Sequence, residues 1–202
     1  ESNDIINDTM KNYLVQLEKK FMRITKEDIL NVKLLLDNYG VSYYQAEKEA
    51  DELCAYLIHN NYGDIIISDD MDLFAYGCPR IMRHLDIVNH TCLSYDIKNI
   101  LSKLNMSMNN FKWLCIFAGT DYYDNDKNIF YYYNKYKKLK INEDFKEILF
   151  ELNNEDVDKL NNIFNIFNLS KNEIRFSIKE NKTSNKEILY NLLEKENFIF
   201  VK

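Results

Sequence analysis

Residues 64–72 read Asp64-Ile65-Ile66-Ile67-Ser68-Asp69-Asp70-Met71-Asp72, three consecutive isoleucines that run straight into a group of acids. An apolar run of that length between polar neighbours is the pattern of a strand buried on both faces, as in parallel sheets. Upstream, Gly40 ends a helical periodicity and Val41 to Tyr44 suits a short strand. Lys48 to His59 then spaces Ala50, Leu53, Cys54, Leu57 and Ile58 along one helix face. Strand, helix and buried strand make a βαβ unit with a right-handed crossover, so the fold class is α/β. Downstream, a strand is expected around Arg80 to Val88, with helices at about Tyr95 to Leu104 and Asn109 to Ala118.

Outward from this centre the pattern is helical. Between residues 5 and 38, Leu14, Leu17, Phe21, Ile29, Val32, Leu35 and Leu36 recur near the 3.6-residue period, and Thr25-x-x-Asp28 is a capping box opening a second helix. Beyond Asp121 no strand is legible: a Lys/Tyr-rich segment covers 127–140, a helix is expected from Glu155 to Phe167, and another after Ser184-x-x-Glu187. Without repeats or a linker, residues 1–202 are expected to form a single domain whose C-terminal portion, 124–202, is helical.

The chain has 202 residues, 46% of them hydrophobic, enough to bury about 70% of its unfolded surface in one core. It has 4 Gly and 1 Pro, where average usage gives about fourteen and ten, which argues against turn-rich β-sandwiches. A net charge of -6 disfavours coating nucleic acid through a general positive field but allows an acidic site with local basic contacts. Cys54, Cys78, Cys92 and Cys115 form no C-x-x-C pair, so reduced thiols in an intracellular protein are expected. No segment approaches the ~18 apolar residues of a membrane span.

The acids carry the chemistry. Ligands of open α/β sheets bind outside the carboxyl ends of strands, and Asp70 and Asp72 follow directly on the Ile65 to Ile67 run. Glu49 and Asp51 stand at the entry to the preceding helix; two residues apart, they reach one site only if Glu49 is the cap. Asp121 follows the apolar stretch Trp113 to Ala118. Converging carboxylates repel and raise one another's pKa values, a cost that hard divalent cations such as Mg²⁺ or Mn²⁺ remove. Two such ions about 4 Å apart can activate a water and stabilise the leaving oxygen of a phosphodiester. Solvated acids capping helix N-termini are the alternative.

Four segments, in order, resemble the internal nuclease region of the flap endonuclease and XPG family. They are Glu49-Ala50-Asp51-Glu52-Leu53-Cys54-Ala55, Ser68-Asp69-Asp70-Met71-Asp72, Gly77-Cys78-Pro79-Arg80-Ile81-Met82-Arg83-His84-Leu85 and Gly119-Thr120-Asp121-Tyr122. The likeness covers about residues 15–123, and the only proline, Pro79, falls where the family has one. It implies a PIN-like parallel sheet flanked by helices, cutting flap, branched or nicked DNA, or sometimes RNA, with two Mg²⁺ (or Mn²⁺) ions. It also implies that Glu49, Asp51, Asp70, Asp72 and Asp121 are metal-binding, catalytic carboxylates, Asp51 standing where Glu is more usual. Two departures stand out. The family draws two further aspartates from an N-terminal sheet region, for which residues 1–40 offer only helical patterning, so that part of the fold is expected to be absent. The Gly-rich hairpin that grips duplex DNA and a monovalent cation is replaced by Tyr123-Asp124-Asn125-Asp126-Lys127.

The expected function is therefore a Mg²⁺-dependent structure-specific endonuclease or 5′-exonuclease, in the nucleus if the source is eukaryotic. The alternatives are a non-catalytic nucleic-acid-binding or protein-interaction relative, and an RNA-degrading member of the same family. Lys127, Lys135, Lys137, Lys138 and Lys140, interleaved with Tyr131, Tyr132, Tyr133 and Tyr136, are candidate DNA contacts, or else a solvated helix with its tyrosines inward. Asp124, Asp126 and Asn128 imitate a calcium loop, but Ile129 and Lys135 replace its glycine and closing Glu. His59, His84 and His90 lack ligand spacing, and Met71 and Trp113 are expected in the core.

Overall fold

The computed structural model describes residues 23–139, 144–153, 156–169, 183–195 and 198; Leu14, Leu17, Phe21 and Lys140 lie outside them. The chain forms two compact units, residues 1–44 with 176–202 and residues 45–175. Helix α1 (Lys26–Tyr39) belongs to the first. Its capping box is formed as expected: the Thr25 hydroxyl accepts from the Asp28 backbone and Asp28 accepts from the Thr25 N–H. Gly40 ends it in the left-handed region, where a residue without Cβ is unstrained.

Residues 45–175 hold the sheet. Helix α2 (Ala50–His59) begins two residues later than expected and buries Leu53, Ala55 and Ile58, while Ala50 is exposed. Strand β1 is only Ile66–Ile67, continues through the short helix α3 (Asp72–Ala75), and pairs in parallel with β2 (Arg80–Asp86), Ile66 opposite Ile81. A third strand, β3 (Thr91–Asp96), pairs antiparallel with β2. The α/β class and the parallel pair stand as expected, and β3 makes the described sheet mixed.

Three strand expectations need correction. The isoleucine strand is not buried on both faces: Ile66 is 8% exposed and Ile67 58%, because successive side chains point to opposite faces and one face meets the core. Val41 to Tyr44 is not a strand; Tyr43 alone makes a single bridge, and Val41 is 46% exposed. Thr91–Asp96 escaped notice because only its last two positions, Tyr95 and Asp96, are shielded from solvent, which leaves no buried face for a periodicity to mark.

Helices α4 (Ile97–Leu104), α5 (Met108–Ala118), α6 (Ile129–Tyr136), α7 (Phe145–Asn153) and α8 (Val157–Ile166) complete this unit. Of these, α7 was not expected. Helix α5 is central: α3, α6, α7 and α8 all pack on it. Trp113, buried as expected, stacks on Phe164 at 4.4 Å and takes Phe150 edge-on at 5.3 Å, while Phe117 meets Tyr123 and Tyr132. The described helices α6, α7 and α8 after Asp121 thus share one core with the sheet. In α3 Leu73, Phe74 and Ala75 are all buried, which seats the acid-bearing loop directly on that core. Gly77 turns the chain back at φ 70°, and a Cβ there would meet Met108 at 3.0 Å.

Helix α9 (Lys186–Lys195) packs against α1 within the first unit. Asn185, rather than Ser184, accepts from the Ile188 backbone N–H, at 3.2 Å, and its own N–H bonds to Asn38 at the end of α1. Among the described residues no helix is long and apolar enough to cross a membrane.

Candidate functional site

Each acid is delivered by a different local device. Glu49 is the N-cap residue of α2 and Asp51 lies in its first turn, so the condition for both to serve one site is met. Past β1, the Ser68 hydroxyl accepts from the Asp70 N–H and the Asp70 carboxylate accepts from the Asp72 N–H at 2.8 Å, a tight turn that opens α3. Asp121 sits in a two-residue reversal: Thr120 and Tyr123 exchange backbone hydrogen bonds of 3.0 and 3.1 Å on either side of it. Tyr123 is buried against Phe117, which anchors that reversal to α5.

The three segments meet electrostatically. Partial burial pushes the Asp72 carboxyl up to about 6, and the charges of Asp70, Asp121 and Asp51 add to the rise, against a hydrogen bond from the Asp121 backbone N–H. Asp51 is raised too, by burial first, then by the charges of Asp70, Glu49 and Asp121. Glu49 is exposed at the rim, where it reaches Asp51 and Tyr122.

Among the described residues no lysine or arginine forms an ion pair with any of the five acids; the ion pairs of Arg83 and His84 go to Asp69. An all-oxygen donor set with unmet negative charge fits a hard divalent cation. The acids are not closed into a cage: among the described residues no group of three or more His, Cys, Asp or Glu side chains stands ready to hold a metal ion. Mg²⁺ keeps several waters and takes one or two carboxylates directly, so its binding does not require such a cage.

The lysines lie elsewhere. Lys127 and Lys135 approach the ring of Tyr131 at 4.9 and 5.4 Å, and Lys137 that of Tyr133 at 4.9 Å. Tyr132 is fully buried and its hydroxyl, with Asn125 and Asn153, forms a closed polar cluster. That cluster organises the glycine-free segment after Asp121. Asn128 caps α6, in keeping with the rejection of a calcium loop. His59 bonds the Tyr76 carbonyl and His90 lies in an exposed turn. Met71 is 53% exposed, not in the core; its sulfur accepts from Arg83. Tyr122, missed in the sequence, stands beside Glu49, Asp72, Asp121 and Glu52, and its only signal was its place directly after Asp121.

Residues 40–121 match the XPG I-region family model. A flap endonuclease 1 of Zea mays is 33% identical over 122 residues, covering 59% of this chain and 32% of the relative. A probable RAD2-like endonuclease of invertebrate iridescent virus 6 is 34% identical over 127 residues, covering 58% and 30%. Residues 40–121 of this chain are thus of the XPG I-region type. The chain spans about a third of the length of these curated relatives. The family fold recurs in solved structures. Flap endonuclease-1 from Methanococcus jannaschii matches with TM-score 0.71 at 22% identity, over 95% of this chain and 60% of that one. The catalytic core of Rad2 in complex with a DNA substrate gives 0.61 at 23%, over 88% and 67%. Human GEN1 in complex with Holliday junction DNA gives 0.64 at 21%, over 85% and 49%.

Proposed function

We propose that this chain contributes the internal carboxylates of a divalent-metal-dependent nuclease acting on flap, branched or nicked DNA. The observation that carries the reading is the coupling of Asp51, Asp70, Asp72 and Asp121, from three separate segments, with no lysine or arginine paired to them among the described residues. Acids capping isolated helices would feel their own dipoles rather than one another. Glu49 and Asp51 would hold one ion, directly or through water; Asp70, Asp72 and Asp121 would hold the second. Bound there, such ions supply an activated water and stabilise the departing phosphodiester oxygen.

The protein's own contribution is positional. The Ser68 hydroxyl accepts from the Asp70 N–H and the Asp70 carboxylate from the Asp72 N–H, and the Asp121 backbone N–H favours the charged form of Asp72. The catalytic core of Rad2 in complex with a DNA substrate and human GEN1 in complex with Holliday junction DNA share this fold, which supports DNA as the substrate class. Among the α6 lysines, Lys138 is exposed and free to meet a phosphate, whereas Lys127, Lys135 and Lys137 lie over rings.

The test is a side-by-side assay of the full chain on 5′-flap DNA, nicked DNA and single-stranded RNA, with Mg²⁺ and with chelator. Magnesium-dependent cleavage of the flap substrate that Asp70→Asn abolishes, with an unchanged circular dichroism spectrum, is the expected result. Cleavage retained in Asp70→Asn removes the reading, and preferential cleavage of RNA reassigns the substrate.

A further inference from the structure

Of the three acids in Ser68-Asp69-Asp70-Met71-Asp72, Asp70 and Asp72 join the cluster and Asp69 does not. The sorting is done by the end of β2. The Arg83 guanidinium donates through Nη2 to the Asp69 carbonyl at 2.6 Å and through Nη1 to the Met71 sulfur, so one side chain grips the residues on both sides of Asp70. Its Nε lies 4.0 Å from the Asp69 carboxylate, and the side chain is only 15% exposed.

Next along the strand, the pairing register shifts between Arg83 and Asp86, and His84 takes a left-handed conformation at φ 52°. That bulge turns the His84 N–H onto the Asp69 carboxylate at 2.7 Å. Asp69 is thereby held away from the cluster as an anchor.

We infer that Arg83 is a positioning residue for the carboxylate site: through Asp69 and Met71 it fixes the loop that presents Asp70 and Asp72. The inference rests on the proposed metal-dependent reading and concerns a residue two bonds removed from the acids themselves. Groups that orient metal ligands typically alter affinity 10–100-fold when replaced. Lysine at this position keeps the charge but presents a compact ammonium, which cannot reproduce the fork of two bonds.

The experiment is Mn²⁺ binding to the full chain, followed by electron paramagnetic resonance, for the native protein, Asp70→Asn, Arg83→Gln, Arg83→Lys and Asp69→Ala, with melting curves of each. Native binding that Asp70→Asn weakens, with affinity lowered about tenfold in Arg83→Gln and Asp69→Ala and less in Arg83→Lys, is the expected result. In cleavage assays Arg83→Gln, Arg83→Lys and Asp69→Ala should need more Mg²⁺ for half-maximal rate and regain most of kcat at saturation, a split that general destabilisation does not produce. Native binding lost in Asp70→Asn but unchanged in Arg83→Gln and Arg83→Lys overturns the positioning role and leaves the metal reading intact. Native binding indifferent to Asp70→Asn overturns both.

Discussion

The acid loop and the lysine-rich helix are both dense in charge, and they treat that charge in opposite ways. Around β1 and α3, carboxylates from three segments raise one another's pKa values, and among the described residues no lysine or arginine pairs with them. On and beside α6, Lys127, Lys135 and Lys137 lie over tyrosine rings of that same helix. Folding pays for the first arrangement and gains a little from the second. Charge left unmet by the protein marks where something else is meant to bind; charge satisfied by its own neighbours marks structure.

The sharpest way to break the contrast is Asp70→Asn. If the acids hold metal, removing one should lower cleavage about 10³-fold, the several kcal/mol that a bound ion contributes to the transition state. A core variant calibrates what mere unfolding looks like: Phe117→Ala should cost about 3–5 kcal/mol in denaturant unfolding, since the ring is fully buried among Tyr123, Tyr132 and Phe150.

The strain among the acids should also be visible without substrate. Asp72 has a folded-state pKa of about 6 against 3.8 for the free group, so the native state binds its proton more tightly than the unfolded state. Stability is then full below the lower value, falls as pH rises between the two, and stays reduced above about 6. In chelator the melting temperature should drop over that window by the equivalent of about 1 kcal/mol, allowing for screening at a half-exposed group. Asp72→Asn should flatten the profile, and Mg²⁺ should restore the native value at pH 8. A profile in the native chain that Asp72→Asn leaves unchanged would mean that Asp72 is not raised by burial and its neighbouring acids.

The smallest effects sharpen the other side. Lys127→Ala and Lys135→Ala should each lower stability by about 0.5–1 kcal/mol, through the lost ring contact. Lys138→Ala should leave melting unchanged and reduce the salt slope of DNA binding by about one. A large loss of DNA affinity in the first two, with unchanged stability, would move those lysines from structure to recognition.

Much of this was legible in the chain itself. Helix α2, the turn at Ser68 to Asp72 and helix α5 follow from residue spacing, because apolar periodicity and turn chemistry are local. The five acids were legible as candidates for the same reason. Strand β3 was not, since all but its last two residues are exposed, and Arg83 was not, since its partners lie twelve and fourteen residues away.

Residue order alone determined an α/β protein with acids at the ends of its β1 and α5 segments and at the start of α2. Only the tertiary structure decided that Asp51, Asp70, Asp72 and Asp121 feel one another's charge while Asp69 is turned aside, and that Lys127, Lys135 and Lys137 rest on tyrosines of α6. The reason is physical: a side chain's type is written at its own position, but its electrostatic surroundings are set by whichever distant segments the core packs beside it.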